Sequence, residues 1–158
     1  MKPMEIERKY TIKKLPANLD SYPFHIIEQG YLNTNPVVRV RRQDEDYYMT
    51  YKGSGMMARE EYNLPLTKEA YEHLITKADG NIITKKRYLI PVHEFIPGST
   101  LTIELDVFAP PFAPLVIAEV EFTSTEESDA FQAPDWFLED VTYSHEYHNS
   151  YLSEKTFS

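Results

Sequence analysis

Apolar and polar residues alternate along most of the chain, and residues two apart on a strand share a face. The alternation predicts eight strands, over residues 4–12, 24–32, 37–42, 47–53, 59–65, 82–91, 100–108 and 115–123. Aromatic and β-branched residues fill these stretches, as pleated half-buried surfaces favour. Pro36, Gly53 to Gly55, Pro97-Gly98 and the prolines at 110, 111 and 114 fall between them, where turns need them. Thr67 can cap a helix through Ala78, with Tyr71, Leu74, Ile75 and Ala78 at helical spacing and Gly80 closing it. Ser124 and Glu127 form a capping box for a second, short helix that Pro134 ends. A third helix is expected after Ser144, pairing Tyr147 with Tyr151. No repeat, linker or low-complexity tract interrupts the chain, so it reads as a single α+β domain over 1–158, dominated by antiparallel sheet.

The polar half of the alternation is charged. One face carries Glu5, Glu7 and Lys9 on the first strand, Arg39 and Arg41 on the third, Lys52 on the fourth, and Arg59 with Glu61 on the fifth. Lys85 and Arg87 follow on the sixth, Glu104 and Asp106 on the seventh, Glu119 and Glu121 on the eighth. Alternation alone fits two readings, a solvated sheet face or the lining of a ligand site. Segregation by sign favours the second, because like charges two residues apart sit roughly 6.5–7 Å from each other. They repel unless opposite charge lies between them, a polyanion for the cations and a metal ion for the carboxylates. Eight antiparallel strands can close into a barrel with the charged face inside and helices covering the apolar outside. The expected result is a water-filled tunnel with a helical coat.

Sixteen Lys and Arg against twenty-five Asp and Glu give a net charge of −9. That balance argues against nucleic acid or membrane as a partner held by bulk charge, so any anionic ligand must be gripped by a local basic cluster. The absence of cysteine excludes disulfides, thiolate metal sites and a cysteine nucleophile, and fits a reducing compartment. No apolar run approaches the ~18 residues of a membrane span and the first residues lack a signal-peptide core, so the expectation is a cytoplasmic protein. The five histidines show no metal-binding spacing and read as surface or structural residues. Ser54, between two glycines, reads as a hairpin turn. Arg8 and Lys86 have the opposite parity and belong outside, while Trp136, Phe137 and Leu138 are expected to pack on the barrel.

The E-x-E-x-K of Glu5, Glu7 and Lys9 is followed in order by R-x-R, K, R-x-E, K-x-R, E-x-D and E-x-E, each on an expected strand. This series, from Glu5 to Glu121, resembles the CYTH family, the triphosphate tunnel metalloenzymes. The tail, with Val141-Thr142, Tyr147 and Asn149, is similar to that of bacterial members. The resemblance implies an eight-stranded antiparallel closed β-barrel, a tunnel that binds a triphosphate together with divalent metal ions. Family activities include inorganic triphosphatase, thiamine triphosphatase, class IV adenylyl cyclase and RNA triphosphatase, and this compact form is most similar to the tripolyphosphatases. The expected reaction is hydrolysis of tripolyphosphate to pyrophosphate and phosphate by in-line attack of water.

In that setting Lys9, Arg39, Arg41, Lys52, Arg59, Lys85 and Arg87 would clamp the phosphates. Glu5, Glu7, Glu119 and Glu121 would hold Mg²⁺ or Mn²⁺, the hard cations that all-oxygen ligation favours. Glu5 or Glu7 would orient or deprotonate the water, Lys52 or Lys85 would protonate the leaving phosphate, and Glu61, Glu104 and Asp106 would hold the clamp in place. An organic triphosphate, hydrolysed or cyclised, is the nearest alternative. A non-catalytic polyphosphate binder would have little use for paired glutamates, and a lipocalin-type carrier would need an apolar lumen. A homodimer is compatible with the sequence.

Overall fold

In the computed structural model, which describes residues 4–157, all eight expected strands form and close on one another. They are β1 (Met4–Ile12), β2 (Phe24–Thr34), β3 (Val37–Gln43), β4 (Asp46–Lys52), β5 (Ala58–Pro65), β6 (Asp79–Pro91), β7 (Thr102–Phe108) and β8 (Val116–Phe122). Around the barrel they run β5-β4-β3-β2-β6-β7-β8-β1, all antiparallel. β1 then returns to β5 through Met4↔Glu60, Glu5↔Arg59 and Ile6↔Ala58, which removes the exposed sheet edges.

Three helices accompany the barrel: α1 (Lys68–Ile75), α2 (Thr125–Ala130) and α3 (Asn149–Glu154). Both expected caps are present: Thr67 accepts a hydrogen bond from the Ala70 amide, and Ser124 from that of Glu127. α1 stops short of Ala78 because β6 begins at Asp79, paired with Tyr31, earlier than the alternation suggested. Gly80 therefore lies inside a strand instead of closing the helix. Its φ of +69° and a Cβ position only 2.0 Å from the Ser153 carbonyl oxygen explain why glycine is needed where α3 crosses. α3 itself starts at Asn149, after a single 3-10 turn over His145–Tyr147.

The sequence pattern also missed a short strand, β9 (Phe137–Asp140), that pairs with the far end of β1 through a register shift. Trp136 and Phe137 are buried as expected, but Leu138 is exposed, since a strand turns adjacent residues to opposite faces.

The apolar residues form two clusters with different jobs. The first lies outside the barrel, where Tyr88, Ile90, Ile103, Leu105, Val120 and Phe122 are covered by Val92, Trp136 and Phe137. The second lies inside, with Tyr31, Val37, Ile83, Phe108, Phe112, Ile117 and Leu152 filling one end of the lumen under α3. The inward face is thus charged over part of its length and apolar at that end. On the opposite outer wall α1 docks at Gly30, where an added Cβ would lie 2.7 Å from the Ala78 Cβ.

Candidate active site

Antiparallel register brings the inward charges level with one another. Glu7 faces Glu121, Lys9 faces Glu119, Glu5 faces Arg59, Lys52 faces Glu61, and Arg87 faces Asp106. Together they enclose a cavity of about 360 Å³. Its walls include Glu5, Glu7 and Lys9 from β1, Arg39 and Arg41 from β3, Lys52 from β4, and Arg59 and Glu61 from β5. Arg87, Glu104, Glu119 and Glu121 complete the charged lining. Lys85 and Asp106 are the exceptions: their side chains are 0% exposed and lie beneath the cavity, 2.7 Å apart. The direct substrate contact expected of Lys85 is therefore not available in this geometry.

One side of the cavity is a continuous ion-pair network. Arg87 grips both oxygens of Asp106, at 2.7 and 2.9 Å, and reaches Glu119 at 3.1 Å and Glu104 at 3.4 Å. Lys9 bonds Glu119 and stands 3.5 Å from Glu7. Lys52 contacts Glu5 at 2.7 Å and Glu61 at 3.4 Å, and Arg59 lies 3.9 Å from Glu5. Burial alone would lower the Lys9 pKa, but the Glu119 and Glu7 carboxylates overcome it and hold the ammonium above its ordinary range. Burial likewise opposes the charge of Glu119, yet Lys9 and Arg87 keep its carboxyl well below the usual carboxylate range. At Lys85 burial wins: with Arg87 and Arg41 reinforcing it against Asp106, the pKa is pushed down to about 7.

The β3 side is different. Arg39 and Arg41 are buried, and their hydrogen bonds go to neutral groups, Arg39 to Thr50 at 3.3 Å and Arg41 to Gln29 at 2.7 Å and Tyr48 at 3.5 Å. Among the described residues, the buried Nε of Arg39 and of Arg59 have no hydrogen-bond partner. Burial and the Arg39 and Arg87 charges lower the Arg41 pKa. Such donors are poised for an acceptor that the protein does not supply.

Near Glu7 the excess is negative. Although Glu121 is exposed, partial desolvation followed by Glu5, Glu104, Glu61 and Glu7 pushes its carboxyl up to about 7, and burial raises Glu104 too. No ready-made group of three metal-ligating side chains exists among the described residues. The crowding of carboxylates around Glu121 nonetheless fits a hard divalent cation, which would relieve the repulsion that raises its pKa.

The sequence reading missed the neutral lining. Gln43, Tyr48 and Asn63 line the cavity beside the charges, and Asn149 and Ser150 reach it from the start of α3. Parity could have found the first three, which continue the 39-41, 48-50-52 and 59-61 alternations; nothing in the local pattern marks Asn149. Arg8 and Lys86 lie outside as expected, Arg8 on Ser128, Asp129 and Asp140, and Lys86 over the Phe24 ring at 3.9 Å.

A family model for the CYTH domain matches residues 3–156. The chain belongs to the CYTH family. This CYTH chain is 37% identical to the inorganic triphosphatase of Nitrosomonas europaea over 153 residues, 94% of this chain and 96% of that protein. It also resembles the crystal structure of the inorganic triphosphatase NE1496, with a TM-score of 0.70 and 33% identity over 96% of this chain and 95% of that one. The PH1012 protein of Pyrococcus horikoshii OT3 shares the CYTH barrel fold alone, with a TM-score of 0.56 and 18% identity over 79% of this chain and 83% of that one. Among the described residues no helix is long and apolar enough to cross a membrane.

Proposed function

We propose that this CYTH protein is a phosphoanhydride hydrolase that splits inorganic triphosphate into pyrophosphate and phosphate, using Mg²⁺ or Mn²⁺, as one domain acting in the cytoplasm. The observation that carries the reading is the pair of buried arginines, Arg39 and Arg41, bonded to neutral groups and facing a cavity that also holds clustered carboxylates. Unpaired buried guanidinium groups favour a polyanion, and adjacent carboxylates favour the cations such an anion must bring with it. The similar Nitrosomonas europaea protein is itself an inorganic triphosphatase.

Phosphoryl hydrolysis asks mainly for positioning and charge stabilisation. Arg39 and Arg41, with Arg59 alongside, hold the phosphate chain through planar forks. A bound divalent cation would screen phosphate charge and polarise the attacking water. Glu7 and Glu121, level on β1 and β8, are placed to hold that cation, with Lys9 3.5 Å from Glu7; Glu5 and Glu119 contribute while bonded to Lys52 and Lys9. Glu7 or Glu5 orients the water in line with a terminal phosphorus. Lys52, at the cavity wall between Glu5 and Glu61, gives a proton to the leaving phosphate. Lys85 lies beneath, held by Asp106 and bonded to Asn149, and Glu61, Glu104 and Asp106 hold the basic side chains in place.

The test is phosphate release from tripolyphosphate, ATP, thiamine triphosphate and pyrophosphate, each with EDTA, Mg²⁺ or Mn²⁺. The expected outcome is metal-dependent release, strongest on tripolyphosphate. Preference for ATP or thiamine triphosphate would overturn the substrate, and tight binding without release would overturn the enzyme. Glu7→Ala should abolish metal-dependent turnover with an unchanged circular dichroism spectrum; retained activity would remove Glu7 from the mechanism.

A further inference from the structure

Arg41 donates its Nε–H to the side-chain oxygen of Gln29 at 2.7 Å, and Gln29 is completely buried. The Gln29 amide nitrogen donates in turn to Asn149 Oδ1 at 3.3 Å, and that same oxygen accepts from Lys85 Nζ at 3.1 Å. The cations at the two ends fix the direction of the whole relay. Arginine only donates, and Lys85, in contact with Asp106 at 2.7 Å, donates to Asn149, so each amide turns its oxygen toward its basic partner, which leaves the Gln29 nitrogen for Asn149. The two amides thus stand between like charges, Arg41 and Lys85, that act on each other.

The neutrality of residue 29 matters. A carboxylate there would seize Arg41 as Asp106 seizes Arg87, at 2.7 and 2.9 Å, and produce a neutralised pair. An apolar side chain of the same size would fill the space but strand a buried guanidinium donor. The amide does neither. It fixes the guanidinium at Nε while its full charge and its terminal nitrogens remain available to the cavity.

We infer that Gln29 and Asn149 are positioning residues of the triphosphate clamp: Gln29 holds Arg41 oriented and un-neutralised, and Asn149, at the start of α3, holds Gln29 in the required orientation. The inference rests on the triphosphate reading and deepens it by tying the C-terminal helix to the clamp.

The experiment is steady-state hydrolysis of tripolyphosphate with Mg²⁺ by Gln29→Glu, Asn149→Ala, Arg41→Gln and the Gln29→Glu/Arg41→Gln double variant, with thermal melts of each. Gln29→Glu should raise KM about tenfold with kcat within about twofold, because it removes ligand attraction and not chemistry. Asn149→Ala, at a half-buried position that tolerates truncation, should raise KM about threefold and keeps the test usable if Gln29→Glu does not fold. In the Arg41→Gln background Gln29→Glu should add no further rise, since its effect passes through Arg41.

Wild-type KM in both Gln29→Glu and Asn149→Ala would overturn the inference, as would an equal Gln29→Glu effect with and without Arg41. If the wild-type protein releases no phosphate from tripolyphosphate, the proposed reaction fails separately. The relay is then read from tripolyphosphate binding by calorimetry in the same variants, with the same pattern in Kd expected and the same two results overturning it.

Discussion

On the β3 side of the cavity Arg39 and Arg41 meet Thr50, Gln29 and Tyr48, whereas on the β6 side Arg87 is held by Asp106, Glu119 and Glu104. Residue type, parity and burial are alike, and what differs is the neighbouring strand. β2 and β4 flank β3 with an amide, a hydroxyl and a phenol; β7, beside β6, brings Asp106 and Glu104, and β8, one strand further, brings Glu119. A cation among acids is already neutralised and contributes order to the wall. A cation among neutral hydrogen-bonding groups stays available to a ligand, and the protein bears the cost of burying it.

Damage to the available side should fall on activity. Arg41→Ala is expected to lower kcat/KM on tripolyphosphate by ~10²–10³-fold, mainly through KM, as truncating one partner of a buried charge pair with the ligand does, with little change in the urea midpoint. A large loss of stability with activity preserved would erase the contrast. Damage to the paired side should fall on the fold. Asp106→Ala leaves Lys85 and Arg87 without their shared buried partner and should cost about 3–5 kcal/mol in urea denaturation. Asp106→Asn, which keeps hydrogen bonding but not the charge, should fall between that variant and the wild type.

The smallest effect concerns the acidic cluster. The Glu121 carboxyl is raised from 4.5 to about 7 by partial desolvation and by its acidic neighbours. A raised carboxyl binds its proton more tightly in the folded chain, so its contribution to stability is full below about 4.5 and is lost as pH rises through about 7. Glu121→Gln should flatten that decline in thermal midpoint measured in EDTA between about pH 4 and pH 8. An unchanged slope would show that Glu121 does not titrate in this window.

Much of this molecule was legible in its alternation. Period two identified eight strands and the inward residues, because parity depends only on spacing along one strand. Depth along the barrel axis is not encoded that way: Lys85 and Phe108 share the parity of Arg87 and Glu104 but sit lower, beside the apolar residues that fill the lumen. Partnership is also hidden, since it depends on which strands become neighbours; no local feature told Arg41 from Arg87. Gln29 escaped because a neutral amide gives no charge signal, and Asn149, seen only as part of the tail's resemblance, gave no sign of its contact with a residue so distant in the chain. β9 escaped because four residues with an exposed Leu138 are too short to show a period.

The apolar filling of Ile83, Phe108, Ile117 and Leu152 reaches beyond packing. Hydrocarbon at the closed end cannot screen the field of the arginines above it, so that field is directed outward through the wet mouth, as a low-dielectric cup focuses potential. The molecule as a whole carries −9, so its other surfaces repel an approaching polyanion. Attraction for a polyanion is thereby concentrated along the barrel axis.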